Sequence, residues 1–144
     1  MKKIVYLTFC LLLWVSCSKE ENTFRDEILR YLTDRQYEYT DTLGIWMVVQ
    51  DSGSIEKPIE SSLVSLEYKG QYLNNEVFDA TGAFPSEIKL SSAIPGLKNG
   101  IKLLGKNARA LIIIPPDQAY GNNPPWGVRK NAVLVYDIHL VDFR

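Results

Sequence analysis

The feature that most constrains the fold is an apolar segment that runs directly into two prolines. Residues 108–114 are rich in aliphatic and β-branched side chains, which predicts a strand. Pro115-Pro116 end this strand, because neither proline can donate a hydrogen bond to a neighbour. A turn at Tyr120-Gly121 follows. The whole segment, Gly100–Gly121, shows no nucleophile, metal cluster or phosphate loop, and instead predicts an apolar pocket with one phenol at its rim.

The rest of the chain predicts an α+β domain in which an antiparallel twisted sheet wraps around one short central helix. Residues 62–70 alternate apolar and polar side chains, as in a strand with one buried face. Pro95-Gly96 open the helix, and its apolar side chains recur at helical spacing, at Leu97, Ile101 and Leu104. Further strands are predicted at 45–50, at 77–80 and at 132–143, and another starts with Ile88 and Leu90. A polar connector is predicted at 36–44 and a loop at 117–130.

The N-terminal 16 residues predict a secretory signal. Lys2-Lys3 precede an apolar run, Ile4–Val15, which is shorter than the roughly 20 residues that span a bilayer. The following Ser16-Cys17 resembles the end of a bacterial lipoprotein signal, so Cys17 is predicted to become the lipidated first residue, with palmitate among its acyl chains. The alternative is an ordinary signal peptide with a chance cysteine. Lipidation predicts a domain anchored in the bacterial cell envelope, at the outer membrane or the cell surface.

Residues 17–44 are predicted to form a tether and an N-terminal helix that precede the main domain, 45–144. The helix is predicted at Thr23–Arg35, with an apolar face. This face either binds a partner or packs on its own domain. We favour packing, because the outer face of the sheet carries an apolar patch that needs a cover. The side chains expected to meet are Phe24, Ile28 and Leu32 on the helix and Leu111, Ile113, Val133 and Val135 on the sheet.

Composition excludes several functions. The formal net charge of −1 gives no basic surface for nucleic acid. His139 is the only histidine, and Cys10 and Cys17 are the only cysteines, which excludes the usual four-ligand zinc site and means that a histidine-dependent catalytic triad would have to use His139. We predict His139 at the surface, on the outward face of the last strand.

Five short segments carry a family resemblance. They are VSLEYKG at 64–70, VFDA at 77–80, IPGLKNG at 94–100, IPPDQAYG at 114–121 and AVLVYDIHL at 132–140. In this order they resemble the FKBP-type peptidyl-prolyl cis-trans isomerases, and the likeness extends over about 45–144. The resemblance implies an FKBP-like fold and isomerase activity on proline-containing polypeptides exported to the envelope. We also expect a monomer that needs no cofactor or metal ion and binds no nucleic acid.

The resemblance also implies which residues form the site. Three would act on the X–Pro bond, and they are Tyr120, Asp79 and Phe78. Five would bind the substrate, and they are Tyr68, Ile94, Leu97, Val128 and Tyr136. Hydrogen bonds to substrate carbonyls would come from the Ile94 amide and the Tyr120 hydroxyl, while Asp79 would bond to the Tyr68 hydroxyl. Each of these residues also has a plain structural interpretation, either as a core side chain or as part of a turn.

Departures from the family pattern keep other functions open. The chain has Leu97 where the family commonly has tryptophan, Ser86 where a pocket phenylalanine is expected, and Val128-Arg129-Lys130 in place of Ile-Pro-Pro. A binding or chaperone module with weak or no catalysis is therefore the second hypothesis. A structural subunit of an envelope complex is the third. Trp126 is either an aromatic contact for substrate or a hydrophobic plug.

Overall fold

The structure is a computed structural model, and it describes residues 23–144. The predicted signal segment 1–16, the lipidation of Cys17 and the first part of the tether lie outside the described residues. Within the described part, no helix combines the length and the apolar character that crossing a membrane requires.

Two helices and seven strands make up the described chain. Residues 23–34 are helical and are called α1. The second helix, α2, is Pro95–Ile101. The strands are β1 (Thr40–Thr42), β2 (Ile45–Asp51), β3 (Leu63–Gln71), β4 (Val77–Ala80), β5 (Ser86–Lys89), β6 (Ala108–Ile114) and β7 (Leu134–Phe143). Two short 3-10 turns lie at Leu90–Ser92 and Pro116–Gln118.

The strands form one antiparallel sheet in the order β1-β2-β6-β7-β3-β4, with β5 paired to β3 on the same edge as β4. The longest strand, β7, lies in the middle and pairs with β6 on one side and β3 on the other. The turn between β3 and β4 uses Asn75 at a φ of 67°, a conformation that asparagine tolerates. The expected α+β fold, with its sheet around one short helix, is confirmed.

The inner face of the sheet packs on α2 to form the main core. Alternation along β6 and along residues 134–140 of β7 sends every second side chain to this face, where all of them are buried: Ala108, Ala110, Ile112, Ile114, Leu134, Tyr136, Ile138 and Leu140. The helix adds Leu97 and Ile101. Gly96 and Gly100 allow it to approach closely, because a Cβ on Gly96 would lie 2.4 Å from Ile114 Cγ2.

The outer face of the same strands packs on α1, as the sequence predicts. Ile28 and Leu32 are completely buried there, and Tyr31 nearly so. We call this second cluster the outer cluster, and its buried members are Ile28, Tyr31, Leu32, Trp46, Val48, Leu111, Ile113, Val133 and Val135. Phe24 is partly buried against it. The helix is therefore an integral layer of this domain.

Several local predictions were wrong. Leu90 begins a 3-10 turn instead of continuing a strand, because the Leu90 amide bonds to Ser62 and its side chain enters the core. Leu104 lies beyond the end of α2, although it is buried. The connector 36–44 contains β1, and the last strand begins two residues late. His139 does face outward, but its side chain is only 19% exposed and Nδ1 lies 2.9 Å from Glu67 Oε2.

Candidate active site

A cavity of about 220 Å³ opens between the inner face of the sheet and the start of α2. We call it the phenol cavity, because three tyrosines stand in its wall. Its lining is Leu66, Tyr68, Asp79, Ile88, Ser92, Ala93, Ile94, Leu97, Tyr120, Tyr136 and Ile138. Six of the eight residues predicted for the site are therefore brought together in one wall, and they come from β3, β4, α2 with the residue before it, β7 and the turn after Pro116–Gln118.

Tyr68 and Asp79 form a hydrogen-bonded pair at the rim. The Tyr68 hydroxyl donates to Asp79 Oδ2 at 2.8 Å. Tyr68 is half-buried and Asp79 is exposed. Burial, followed by the bonded carboxylate, raises the pKa of Tyr68 to about 12, since both disfavour a phenolate. Tyr68 is therefore a neutral donor at physiological pH, and its proton holds the Asp79 carboxylate in one orientation.

Tyr136 supplies part of the floor. Its ring is only 5% exposed, and its centroid lies 5.9 Å from that of Tyr68. Burial raises the pKa of the Tyr136 hydroxyl, and the neighbouring Tyr120 phenol raises it further. The floor is therefore aromatic and uncharged, with one phenolic hydroxyl close to Tyr120.

Phe78 does not line the cavity directly but supports its floor. The Phe78 ring meets Tyr136 edge-on at 5.7 Å, and its other neighbour is Tyr72 at 5.1 Å. Gly70 permits this arrangement, because a Cβ there would lie 2.7 Å from the tip of the Phe78 ring and 3.2 Å from Tyr136 Cε1. Phe78 therefore crosses strand β3 over a glycine and fixes the position of Tyr136.

The backbone at Ile94 is prepared for hydrogen bonding. Ile94 is extended at φ −58° and ψ 151°, as expected for a residue that precedes a proline. Its carbonyl accepts the Lys98 amide of α2. Among the described residues, none accepts a hydrogen bond from the Ile94 N–H. Since the side chain lines the cavity, this amide remains available to a ligand carbonyl.

Val128 lies outside the cavity lining. It is half-buried and packs on the main core from the loop 119–133, which we call the long loop. Sequence reasoning also missed Ser92 and Ala93, which line the cavity from the 3-10 turn that precedes Ile94. The sequence feature that could have indicated these two residues is the run of small side chains before Ile94-Pro95. Small side chains fill little space and so leave room for a pocket beside them.

Comparison with known proteins gives the family. A family model described as FKBP-type peptidyl-prolyl cis-trans isomerase matches residues 55–141. The chain belongs to this family. Its match with FkpA, an FKBP-type peptidyl-prolyl cis-trans isomerase of Escherichia coli K12, is 33% identical over 107 residues, 73% of this chain and 40% of the relative. The "Outer membrane protein MIP" of Legionella longbeachae is 30% identical over 70% of this chain and 45% of its own length.

Solved structures agree with the fold. The crystal structure of FkpA from Escherichia coli has a TM-score of 0.71 and 27% identity, and it covers 99% of this chain and 71% of that one. A peptidyl-prolyl cis-trans isomerase from Pseudomonas syringae has a TM-score of 0.70 at 24% identity, with 83% of this chain covered and 91% of the other. The chain spans about two fifths of the length of the curated FkpA relatives that it matches.

Proposed function

We propose that this chain accelerates the cis–trans isomerisation of X–Pro bonds in polypeptides exported to the cell envelope. The observation that carries the proposal is the phenol cavity: an apolar wall open to solvent on one side, with the unpaired Ile94 amide and the Tyr120 phenol at its edge. Membership of the isomerase family supports the same reaction.

The physical basis is the charge distribution of the amide. Rotation about the bond crosses a barrier of ~18–20 kcal/mol, which is set by resonance between nitrogen and carbonyl. The twisted state loses this resonance, so its carbonyl oxygen carries less charge than in either planar isomer. An apolar cavity therefore disfavours the planar amide more than the twisted one. Ile88, Leu97 and Ile138 supply the apolar wall here.

The polar groups at the rim orient the peptide. The Ile94 amide donates to one substrate carbonyl, and the Tyr120 hydroxyl donates to a second. The Tyr68 hydroxyl holds Asp79 in place. In this proposal the Asp79 carboxylate faces the X–Pro amide as it rotates. These contacts accelerate the reaction only to the extent that they are stronger in the twisted state than in the planar one.

The protease-coupled isomerisation assay on short prolyl peptides tests this function with the full chain. We expect Tyr120→Phe to lower kcat/KM roughly two- to tenfold, since a hydrogen bond contributes roughly 0.5–1.5 kcal/mol. Phe78→Ala should lower it further, because Tyr136 loses its support. Tyr37→Phe is the matched control, since Tyr37 lies between α1 and β1 and is 38% exposed. Equal rates with and without the parent chain would contradict the proposal.

We also propose that a lipid on Cys17 anchors the domain in the cell envelope. The lipoprotein-like signal in the sequence supports this placement, as does the likeness to a relative named as an outer membrane protein. Metabolic labelling with radioactive palmitate is the test. Cys17→Ser should abolish the label, and the matched variant Cys10→Ser should retain it. Label that persists in Cys17→Ser would exclude this anchor.

A binding module without useful catalysis is the second candidate. The observation that favours it is the floor of the cavity, where Tyr136 adds a hydroxyl beside apolar side chains and Leu97 fills less space than an aromatic ring would. A fluorescent prolyl peptide that binds the parent chain but is not isomerised faster would support this alternative.

A further inference from the structure

One edge of β3 is covered by two short strands that leave a gap between them. Strand β5 pairs with β3 as far as Leu66, and the pairing with β4 begins at Lys69. Tyr68 lies in the gap and directs its backbone N–H and carbonyl to this edge, where neither strand pairs with it. A backbone amide in such a place needs another partner, because an unpaired amide in a partly buried position is unfavourable.

Thr81, the first residue after β4, fills this gap with its side chain and its backbone. The Tyr68 N–H donates to Thr81 Oγ1 at 3.0 Å. The Thr81 N–H donates to the Tyr68 carbonyl at 2.9 Å, and the Thr81 hydroxyl donates to the same carbonyl at 3.3 Å. The hydroxyl of Thr81 therefore stands where the carbonyl of a partner strand would otherwise accept the Tyr68 amide.

These bonds fix the two members of the pair at the rim relative to each other. Asp79 lies two residues before Thr81 and pairs with Gly70 in the β3–β4 ladder. This ladder contains three residue pairs, and its register shifts between Gly70 and Gln71. The bonds between Thr81 and Tyr68 extend the ladder at the other end. The 2.8 Å bond from the Tyr68 hydroxyl to Asp79 therefore depends on how Thr81 holds the two strands together.

We propose that Thr81 is a positioning residue, whose hydroxyl holds the Tyr68 phenol and the Asp79 carboxylate in the geometry that acts on the X–Pro bond. Thr81 is not among the residues that line the phenol cavity, so it acts through Tyr68 and Asp79 without contacting the substrate. This inference rests on the proposed isomerase function and deepens it, because it assigns the orientation of the Asp79 carboxylate to a third residue.

The first test compares Thr81→Val with Thr81→Ser in the protease-coupled assay, with the full chain. Valine has nearly the shape of threonine but leaves the Tyr68 amide without an acceptor. We expect Thr81→Val to lower kcat/KM about fivefold, mostly through kcat, because the contacts of Asp79 act in the twisted state. Thr81→Ser keeps the hydroxyl and should come within about twofold of the parent. Equal rates for the two variants would overturn the inference.

The second readout follows the Tyr68 phenol itself and needs no substrate. NMR of isotope-labelled tyrosine, with Tyr68→Phe to assign the signal, gives the pKa of Tyr68. Burial, followed by the bonded Asp79 carboxylate, raises this pKa to about 12. Thr81→Val should lower it, because a displaced Asp79 favours the neutral phenol less, and Thr81→Ser should leave it unchanged. An unchanged titration in Thr81→Val would show a merely structural role and overturn the inference.

Thr33→Val is the matched control. Thr33 lies in α1, where its hydroxyl donates to the Leu29 carbonyl at 2.8 Å. The same replacement there also removes a hydroxyl that bonds to the backbone, but on the face of the sheet opposite to the cavity. It should leave kcat and the Tyr68 titration unchanged. A shift of the Tyr68 titration in Thr33→Val as large as that in Thr81→Val would overturn the inference.

Two measurements remain decisive if the activity is absent or a variant does not fold. If the parent chain does not isomerise prolyl peptides, the proposed function fails, and the Tyr68 titration still decides whether Thr81 positions the phenol. If Thr81→Val does not fold, hydrogen exchange of the parent replaces it. The Tyr68 amide should then exchange more slowly than the amide of the exposed Gly82. Equally fast exchange at both positions would overturn the inference.

Discussion

The two faces of the central sheet are both apolar, yet they are covered in different ways. The outer face lies under α1, whose described 12 residues are about 18 Å long. The inner face lies under α2, whose seven residues are about 10 Å long. In β6, Leu111 and Ile113 enter the outer cluster, while Ile112 and Ile114 enter the main core.

The different lengths of the two covering helices explain where the phenol cavity lies. On the outer face α1 packs over the centre of the outer cluster, and Ile28 and Leu32 are completely buried there. On the inner face the short helix begins at Pro95, and the sheet beyond it remains open as the phenol cavity. The same alternating strands therefore produce the packed layer under α1 on one side and the phenol cavity on the other.

The largest expected effect comes from truncating the outer face. Ile28→Ala leaves a cavity in fully packed surroundings and should lower the free energy of unfolding by about 2–5 kcal/mol. Leu97→Ala should cost less, because its side chain borders a cavity that is already open. Urea unfolding measures both, and isomerase assays below the transition should show a defect only for Leu97→Ala. A larger stability loss for Leu97→Ala would contradict the comparison.

The contact between α2 and the sheet can be tested with Gly96→Ala. The new Cβ would lie 2.4 Å from Ile114 Cγ2 and 3.0 Å from Ile45 Cγ2, both on completely buried residues. We expect a loss of about 1–3 kcal/mol in thermal or urea unfolding, together with reduced activity, because the start of α2 must move. Gly82→Ala is the matched control, since a Cβ there meets nothing within 4 Å. Equal stability of the two variants would show that α2 is loosely seated.

The Tyr68–Asp79 pair on the cavity side should make the stability of the domain fall in alkaline solution. Tyr68 has its pKa raised to about 12 by burial and by Asp79, so the folded state holds this proton when the unfolded chain, with a pKa near 10, has lost it. Its contribution to stability is full below pH 10 and is lost as the pH rises towards 12. Tyr68→Phe should make this fall shallower, and Asp79→Asn should bring the Tyr68 titration to lower pH. Absorbance of the phenolate measures the titration.

The smallest expected effect is at Arg129. Its side chain is half exposed in the ion pair with Glu76, so Arg129→Met should lower the free energy of unfolding by less than about 1 kcal/mol. Most of this loss should disappear in 1 M salt, where exposed charges are screened. Glu76→Gln should behave alike. A loss that exceeds this limit and does not depend on salt would assign the stabilisation to packing on Tyr72.

The alternation of side chains explains which parts could be predicted from sequence. Odd and even positions of β6 and of residues 134–140 separate cleanly between the two faces, so the cover by α1 followed from the apolar residues at 111, 113, 133 and 135. Leu90 was misassigned because a buried leucine is equally compatible with a strand and with a 3-10 turn. The end of α2 was missed because Leu104 keeps helical spacing after the helix has ended.

The site was harder to predict than the fold. Tyr68 and Asp79 lie 11 positions apart, and family motifs brought them together. The support of Tyr136 by Phe78 depends on the approach of a ring across Gly70, which is a tertiary contact without a local pattern. The anchoring of the long loop by Arg129 likewise joins residues 57 positions apart. Such contacts follow from strand register, which the local sequence does not encode.

The central place of β7 has a consequence for how this domain is made. The strand that joins β6 to β3 follows both of them in the chain. Until β7 pairs with both of its neighbours, the β2–β6 part and the β3–β4–β5 part of the sheet remain unjoined. Pairing over such long sequence separations is slow. A chain that has not yet placed β7 therefore exposes two apolar half-sheets, and the last strand in sequence completes the domain.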